Sequence, residues 1–456
     1  MNPVVLTAVL TLSIALGIHL FKRGLGRGSR EFHKRGVLIA DGAPMQRQSA
    51  RRKKSRSDLL TLAGVAIPPD DECKHFKLIG TTGTGKTTAI RELLGSAIAR
   101  GDRAVFADPD AGYLEHFYNR NRGDIVLNPF EPQSVKWDLF GEIKNHFDGD
   151  QLANGLIPNC DDPSAREWRG YARTFLAAVI RRCHFSGAAN PCDLWRLLMV
   201  APADELRPVI AGTPAQPFLD PDNARMIGSI PSVAGSAMAA LEYIQGQRAA
   251  PFSVREWVRN QSYPSMLFIP YRAGQIAALR TMIATWIYLA IFEALSQPQG
   301  RDQRLWFVVD ELDALGAIAG LKDALARLRK FGCRCVLGVQ SLSQVTSTYG
   351  GEAQTIIENC GNTLILRCSA SENGGTSQFA SRLIGEREVL RRQISRGKDR
   401  ESAFSSRGAR RSRSFTDHHV TETAVLASEL EQLPDLRGYL KTASSATWWK
   451  VNLTRP

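Results

Sequence analysis

The octapeptide Gly80, Thr81, Thr82, Gly83, Thr84, Gly85, Lys86, Thr87 constrains this chain more than any other feature. It follows the strand-like stretch 75–79 and precedes residues 87–100, where Ile90, Leu93, Leu94 and Ile98 recur at helical spacing. A glycine-rich turn between strand and helix lets successive backbone N–H groups curl round an anion, and the helix start adds partial positive charge. Further short apolar runs at 104–107, 125–127, 265–270, 305–309, 335–339 and 363–366 read as strands. Strands of that length alternating with helical stretches imply a mostly parallel sheet covered on both faces.

The spacing fits G-x-x-x-x-G-K-[ST] in the strand–turn–helix context that this pattern requires. Lys86 is therefore expected to reach the β- and γ-phosphates of ATP, and the Thr87 hydroxyl to bind Mg²⁺, with Thr88 completing the phosphate loop. Residues 305–309 form an apolar strand ending in Asp310 and Glu311. The strand needs burial, so the two acids emerge at its carboxyl end, where ligands bind in such sheets. Asp310 is expected in the Mg²⁺ shell and Glu311 at the attacking water. Gln340 ends the strand 335–339 and reads as a sensor of the γ-phosphate or the water, or as a plain strand cap. Arg327, Arg329 and Lys330 stand just before Gly332. Their spacing fits a solvated helix end complementing the dipole, or an arginine offered to a neighbouring subunit.

Residues 3–21 contain no formal charge and at about 1.5 Å per residue would just cross a hydrocarbon layer about 30 Å thick. Lys22, Arg23, Arg27, Arg30, Lys34 and Arg35 follow, and this cluster keeps its side of the membrane cytoplasmic. A cleavable signal peptide fits less well, having no basic stretch before the apolar run and no A-x-A site. Residues 276–295 are also apolar, but Arg280 and Glu293 interrupt them, so a buried core helix is expected. Residues 47–58 read as a structure-poor basic linker between anchor and body, a solvated charge run, with anionic lipid headgroups as the functional option. Residues 387–413 read as a mobile basic loop, and residues 142–250, lacking strand signal, as an all-α insertion. The expected organisation is an anchor at 1–21, a basic juxtamembrane linker at 22–58, an ATPase domain at 59–141 and 251–456, and the helical domain at 142–250.

The net charge of +13 favours an anionic partner, nucleic acid or an acidic membrane face. The eight cysteines are scattered; Cys333 and Cys335 suit alternate positions on a strand rather than a redox pair or zinc site.

Taken with their neighbours, these motifs resemble the TraD/TrwB/VirD-type coupling proteins of conjugation systems. The likeness runs through Gly64–Pro68, Asp108-Pro109-Asp110-Ala-Gly112, Val126–Phe130, Trp137–Phe140, Phe252–Trp257, Gly338–Ser341 and Leu433-Pro-Asp-Leu436. It implies an α/β, RecA-like P-loop domain with an inserted all-α domain and an N-terminal transmembrane helix. It also implies a homohexamer at the bacterial inner membrane, coupling relaxase–DNA to a type IV secretion channel. DNA would be bound largely without sequence preference, and hydrolysis stimulated by it. Within it, Arg329 becomes the expected trans-acting arginine and Gln340 the sensor. Many members carry two membrane helices, whereas a single span is read here. An FtsK/HerA-like DNA pump is the alternative, though no winged-helix reader or further spans are visible. A non-enzymatic membrane tether for DNA is a third, against which Lys86, Asp310 and Glu311 argue.

Overall fold

The computed structural model describes residues 31–55, 58–160, 162–186, 190–300, 303–371, 374–398 and 411–454. The anchor expected at 1–21 lies outside them. The described chain divides into a small unit, residues up to 38 with 381–426, and a large unit, 39–380 with 427–456.

In chain order the strands are β1 Glu31–Gly36, β2 Leu38–Asp41, β3 Thr61–Leu62, β4 Val65–Ala66, β5 Phe76–Ile79 and β6 Arg103–Pro109. Next come β7 Ile125–Val126, β8 Lys136–Trp137, β9 Pro251–Phe252, β10 Leu267–Tyr271, β11 Leu305–Val309 and β12 Arg334–Val339. The last are β13 Asn362–Ile365, β14 Glu386–Lys398, β15 Arg411–Thr423, β16 Arg437–Lys441 and β17 Thr447–Asn452. The large unit is built on one sheet in the order β2-β17-β16-β13-β5-β12-β11-β6-β10-β7. From β13 to β7 every pairing is parallel, while β16 and β17 are antiparallel additions. The sheet is thus mixed, with a parallel core.

β5, β11 and β12 lie wholly inside, and burial on both faces explains the continuous apolar run of β11. On one face the helix Lys86–Ala99 sets Ile90, Leu93 and Leu94 against Phe76, Phe106 and Trp306. Phe106 stacks on Phe268 at 4.9 Å, and Phe76 tilts against Trp306 at 5.7 Å. Each such side chain, fully buried, contributes about 1.5–3 kcal/mol. The helix Ile276–Ser296 is long and apolar enough to cross a membrane, yet it is largely buried in the fold. Its Trp286 meets Trp137 edge-on at 5.8 Å.

Between residues 146 and 245 the regular elements are helices: His146–Leu156, Pro163–Phe185, Pro191–Met199, Ala203–Ile210, Ala224–Met238 and Leu241–Gln245, with one 3₁₀ turn. The chain enters and leaves this helical stretch at one place, because β8 pairs in parallel with β9. Glu142 pins that crossing. Its buried carboxylate accepts from Trp137 Nε1, Ser253 Oγ, Val254 N and Arg255 N at 2.7–3.1 Å. A hundred-residue excursion between adjacent points leaves the sheet undisturbed.

Two expectations need correction. Residues 47–58 are not a structure-poor linker: Ala43–Ser55 is a helix. Its Ser49 accepts from Ala66 N at 2.8 Å, Gln46 Nε2 donates to Ala63 O and Asn452 O, and Lys53 donates to Ser96 Oγ. Arg51, Arg52 and Lys54 stay exposed while Gln46, Ser49 and Lys53 hold the helix to its neighbours, partners the local composition does not reveal. Nor is 387–413 simply a loop: β14 and β15 pair over thirteen positions, and β1 joins them. Toward the base of the ribbon its charges are matched across strands. Arg387 and Arg391 pair with Glu422, Arg392 with Asp417, and Lys34, Arg35 and His419 with Glu388. All eight cysteines are free, with Cys333 buried just before β12 and Cys335 buried within it.

Candidate nucleotide site

The parallel order decides the site. β5, β12, β11 and β6 lie side by side, so the residues that follow them meet at one edge of the sheet. A cavity of about 410 Å³ opens there, lined by Thr82, Gly83, Gly85, Lys86, Thr87, Thr88, Pro109, Asp110, Asp310, Glu311, Gln340, Asp435 and Leu436.

Gly83 and Gly85 take positive φ of 76° and 114°, which bends the loop back over the first turn of the helix. Nothing lies within 4 Å of where a side chain at Gly83 would stand, leaving that side of the loop open. Lys86 is buried and bridges its own loop: Nζ donates to Gly80 O at 2.6 Å and Thr81 O at 3.1 Å. Burial pushes its ammonium below the ordinary value, against the pull of Asp310 and Glu311. Thr84 Oγ1 closes the turn on Thr81 O at 2.7 Å. Gly80, Thr81 and Thr84 thus shape the loop without lining the cavity.

Thr87 Oγ1 donates to Asp310 Oδ2 at 2.8 Å, and the buried Tyr113 hydroxyl donates to the same oxygen at 2.7 Å. Asp310 Oδ1 is buried with no hydrogen-bond partner among the described residues. An orphaned carboxylate oxygen beside a threonine hydroxyl suits a hard divalent cation that takes oxygen ligands. Tyr113 is itself held in place. Its backbone N–H donates to Asp108 Oδ1 at 2.9 Å and that of Leu114 to Oδ2 at 2.7 Å. Burial raises the Asp108 carboxyl to about 7, partly offset by those two donors.

Glu311 accepts from Gln340 Nε2 at 2.7 Å, and Gln340 Oε1 accepts from Thr82 Oγ1 at 3.2 Å. A polar chain thus runs from the phosphate loop to the second acid. Burial raises the Glu311 carboxyl above its usual value, reinforced by Asp310 and Asp313. Gly338 on β12 is required by closeness: a Cβ there would stand 1.9 Å from Asp310 O.

The C-terminal part of the chain supplies a wall that sequence motifs did not identify as site. Leu436, at φ 63°, donates its N–H to Thr84 O at 3.0 Å, and a Cβ on Gly85 would strike its side chain. Asp435 pairs with Arg367 at 2.6 Å, and Thr81 N donates to Arg367 O at 2.9 Å. Leu433–Leu436 stood out only through family likeness; its place against the phosphate loop follows from β16 pairing with β13. Asp108 carried no signal beyond lying in a shared motif, and Tyr113, directly after that motif, carried none.

Arg329 is elsewhere. The helix ends at Leu328, and Arg329 opens a 3₁₀ turn, exposed, lining a separate cavity of about 1220 Å³ with Arg304, Lys330 and Arg334. It weighs on His75, at the start of β5, whereas the phosphate loop follows the end of that strand. Lys86, Thr87, Asp310, Glu311 and Gln340 are brought together; Arg329 is not brought to its own chain's site.

Comparison with known proteins agrees with this geometry. The chain is 30% identical over 417 residues to the coupling protein TraD of Escherichia coli strain K12, a match covering 89% of this chain and 56% of TraD. It therefore spans little more than half of that relative. The unbound structure of the bacterial conjugative coupling protein TrwBdeltaN70 superposes with a TM-score of 0.82 at 30% identity, covering 94% of this chain and 95% of that one. TrwB in complex with ADP and Mg²⁺ superposes with a TM-score of 0.80 at 30% identity, covering 94% and 96%. The fold is thus RecA-like, with the mixed sheet and the phosphate loop described above. The family profile described as the type IV secretion-system coupling protein DNA-binding domain matches residues 59–454, and the chain belongs to that family.

Proposed function

We propose that this chain is the ATP-hydrolysing coupling protein of a conjugation system, binding ATP with Mg²⁺ and using its hydrolysis to move DNA toward a type IV secretion channel. One arrangement carries the reading: the phosphate loop, Thr87–Asp310 and Gln340–Glu311 share a single cavity. Binding of ADP with Mg²⁺ by TrwB supports it.

On this reading Lys86 leaves the carbonyls of Gly80 and Thr81 and turns to the β- and γ-phosphates, its charge favoured by Asp310 and Glu311. Thr87 Oγ1 and Asp310 are the residues that would hold Mg²⁺, which when bound draws charge from the phosphate oxygens. Tyr113 keeps Asp310 in its rotamer. Glu311 takes the proton of the attacking water, and Gln340 orients the carboxylate while sensing Thr82 on the phosphate loop. Arg329, exposed and remote from its own phosphate loop, would complete the site of an adjacent subunit in a homohexamer. Residues 1–21 would anchor the chain once across the inner membrane with its bulk in the cytoplasm. Residues 59–141 with 251–456 then form the motor, and 142–250 the helical domain. DNA, the relaxosome and the channel are the partners.

ATP hydrolysis by the purified chain, with and without DNA, tests the reading. Wild-type protein should turn over ATP faster with DNA, and Lys86→Ala should be inactive while keeping its fold. Wild-type turnover in Lys86→Ala would remove the nucleotide assignment. A rate indifferent to DNA, with no association with relaxase-bound DNA, would remove the coupling role and leave a plain ATPase.

A further inference from the structure

The small unit carries a feature that the ATPase does not use. β14 and β15 form a ribbon thirteen residues long, with β1 paired only at its base. At the base, charge is matched by the ion pairs of Glu388, Glu422 and Asp417. Farther out the register places Arg396 opposite Arg413 and Lys398 opposite Arg411. Alternate register positions share a face, so these four basic residues occupy two successive cross-strand positions on one face. Like charges directly opposite destabilise a strand pair, so this end of the ribbon favours an anionic surface against it. The next pair inward on the same face is Ile394 with Phe415, and Phe415 is 60% exposed. Phe32, opposite Leu390 on that face, is 48% exposed. The other face at the same end bears only Ser395 opposite Ser414 and Gly397 opposite Ser412.

Register also sets direction. β1 is antiparallel to β14 with Glu31 opposite Arg391, so the N-terminal end of β1 faces the direction in which β14 continues. Lys398 lies seven positions beyond Arg391, roughly 23 Å at a rise of about 3.3 Å per residue. Nine residues, 22–30, separate Glu31 from the uncharged run 3–21, and nine residues reach at most about 30 Å. Nine residues are thus long enough to cover the distance along the ribbon from the level of Glu31 to that of Lys398.

We propose that the outer half of the β14–β15 ribbon docks on anionic lipid headgroups, its cations on lipid phosphates and Phe415 at the interface beside them. The proposal rests on reading residues 1–21 as a membrane anchor. It gives the coupling protein a second, charge-dependent hold on the bilayer.

The full chain is reconstituted in nanodiscs of phosphatidylcholine alone, or of equal parts phosphatidylcholine and phosphatidylglycerol. Amide hydrogen exchange is then followed in peptides covering 390–398 and 411–420. Exchange should slow several-fold in the anionic discs only, and the protection should fade as salt rises. It should also vanish in R396E/K398E/R411E/R413E, while exchange at 386–389 stays unchanged. In case those substitutions loosen the ribbon, Phe415→Trp provides a second reading: its added emission should shift to the blue in anionic discs relative to neutral ones. Equal exchange and equal emission in both discs would overturn the proposal. Protection by duplex DNA in neutral discs, with none from anionic lipid, would overturn it in favour of a nucleic-acid contact. A chain that enters neither kind of disc would sink the anchor reading, and this proposal with it.

Discussion

Gln340 Nε2 donates to Glu311 Oε1 across 2.7 Å, joining the tips of two adjacent parallel strands, β12 and β11. The amide holds by one hydrogen bond the carboxylate assigned to the water, and its other end contacts Thr82 on the phosphate loop. Gln340→Ala should therefore retain ATP binding through Lys86 and lose on the order of 10²-fold in turnover, the lower range for an ill-placed general base. Nucleotide titration beside steady-state hydrolysis separates the two effects. An unchanged rate would make Gln340 a strand cap only.

Tyr113→Phe removes one of the two donors to Asp310 Oδ2 while leaving Thr87 in place. A lost hydrogen bond to a buried charged group costs about 1.5–3 kcal/mol, so the melting temperature should fall. Residues that orient a metal ligand typically alter metal affinity 10–100-fold. The Mg²⁺ concentration for half-maximal hydrolysis should rise within about that range. A normal Mg²⁺ dependence with lowered stability would confine Tyr113 to packing.

Gly338→Ala adds a Cβ that would meet the Asp310 carbonyl at 1.9 Å, closer than atoms pack. Either β11 or β12 must shift, and Asp310 and Gln340 move with them. Loss of nucleotide binding together with a lowered melting temperature is expected, measured on the same sample. Wild-type binding would mean the strands have more slack than their register implies.

The pH dependence of hydrolysis should carry the mark of Glu311. Burial, then Asp310 and Asp313, raise its carboxyl above the ordinary value. A general base works deprotonated, so on acidification activity should fade at a higher pH than for a solvated glutamate. Asp313→Asn removes one of the raising charges, so that limb of the pH–rate profile should move to lower pH. A shift in the opposite direction, or none, would take Glu311 out of the base role.

Arg329 is exposed and lines a cavity other than its own chain's nucleotide site. Arg329→Ala should bind nucleotide yet lose on the order of 10³-fold or more in rate, as when a trans arginine is removed. Mixing it with Lys86→Ala protein should restore part of the activity, because some interfaces then pair an intact phosphate loop with an intact arginine. Near-normal activity in Arg329→Ala alone would mark a surface residue. A dead variant without rescue in mixed rings would place Arg329 in its own subunit.

Local sequence was sufficient wherever one segment carries its own physics. The loop Gly80–Thr87 declares a strand–turn–helix because its glycines and the flanking apolar periodicities leave few other conformations. The strand 305–309 had to be buried, so Asp310 and Glu311 had to emerge at its end. Neighbouring segments told less. The basic stretch at 47–58 and the ribbon at 387–413 were misjudged because charge counted along the chain ignores charge and packing supplied from across it. Ser49 bonds to Ala66, and Arg392 faces Asp417. Only tertiary structure decided that β12 would lie between β5 and β11, and so that Gln340 would touch both Thr82 and Glu311. It alone set Tyr113 on Asp310 and Leu436 on the phosphate loop, and sent Arg329 away from it. The reason is range: a hydrogen bond acts over about 3 Å, whereas the partners just named, which it joins at the nucleotide site, stand between 29 and 352 residues apart and meet only when the sheet has ordered its strands.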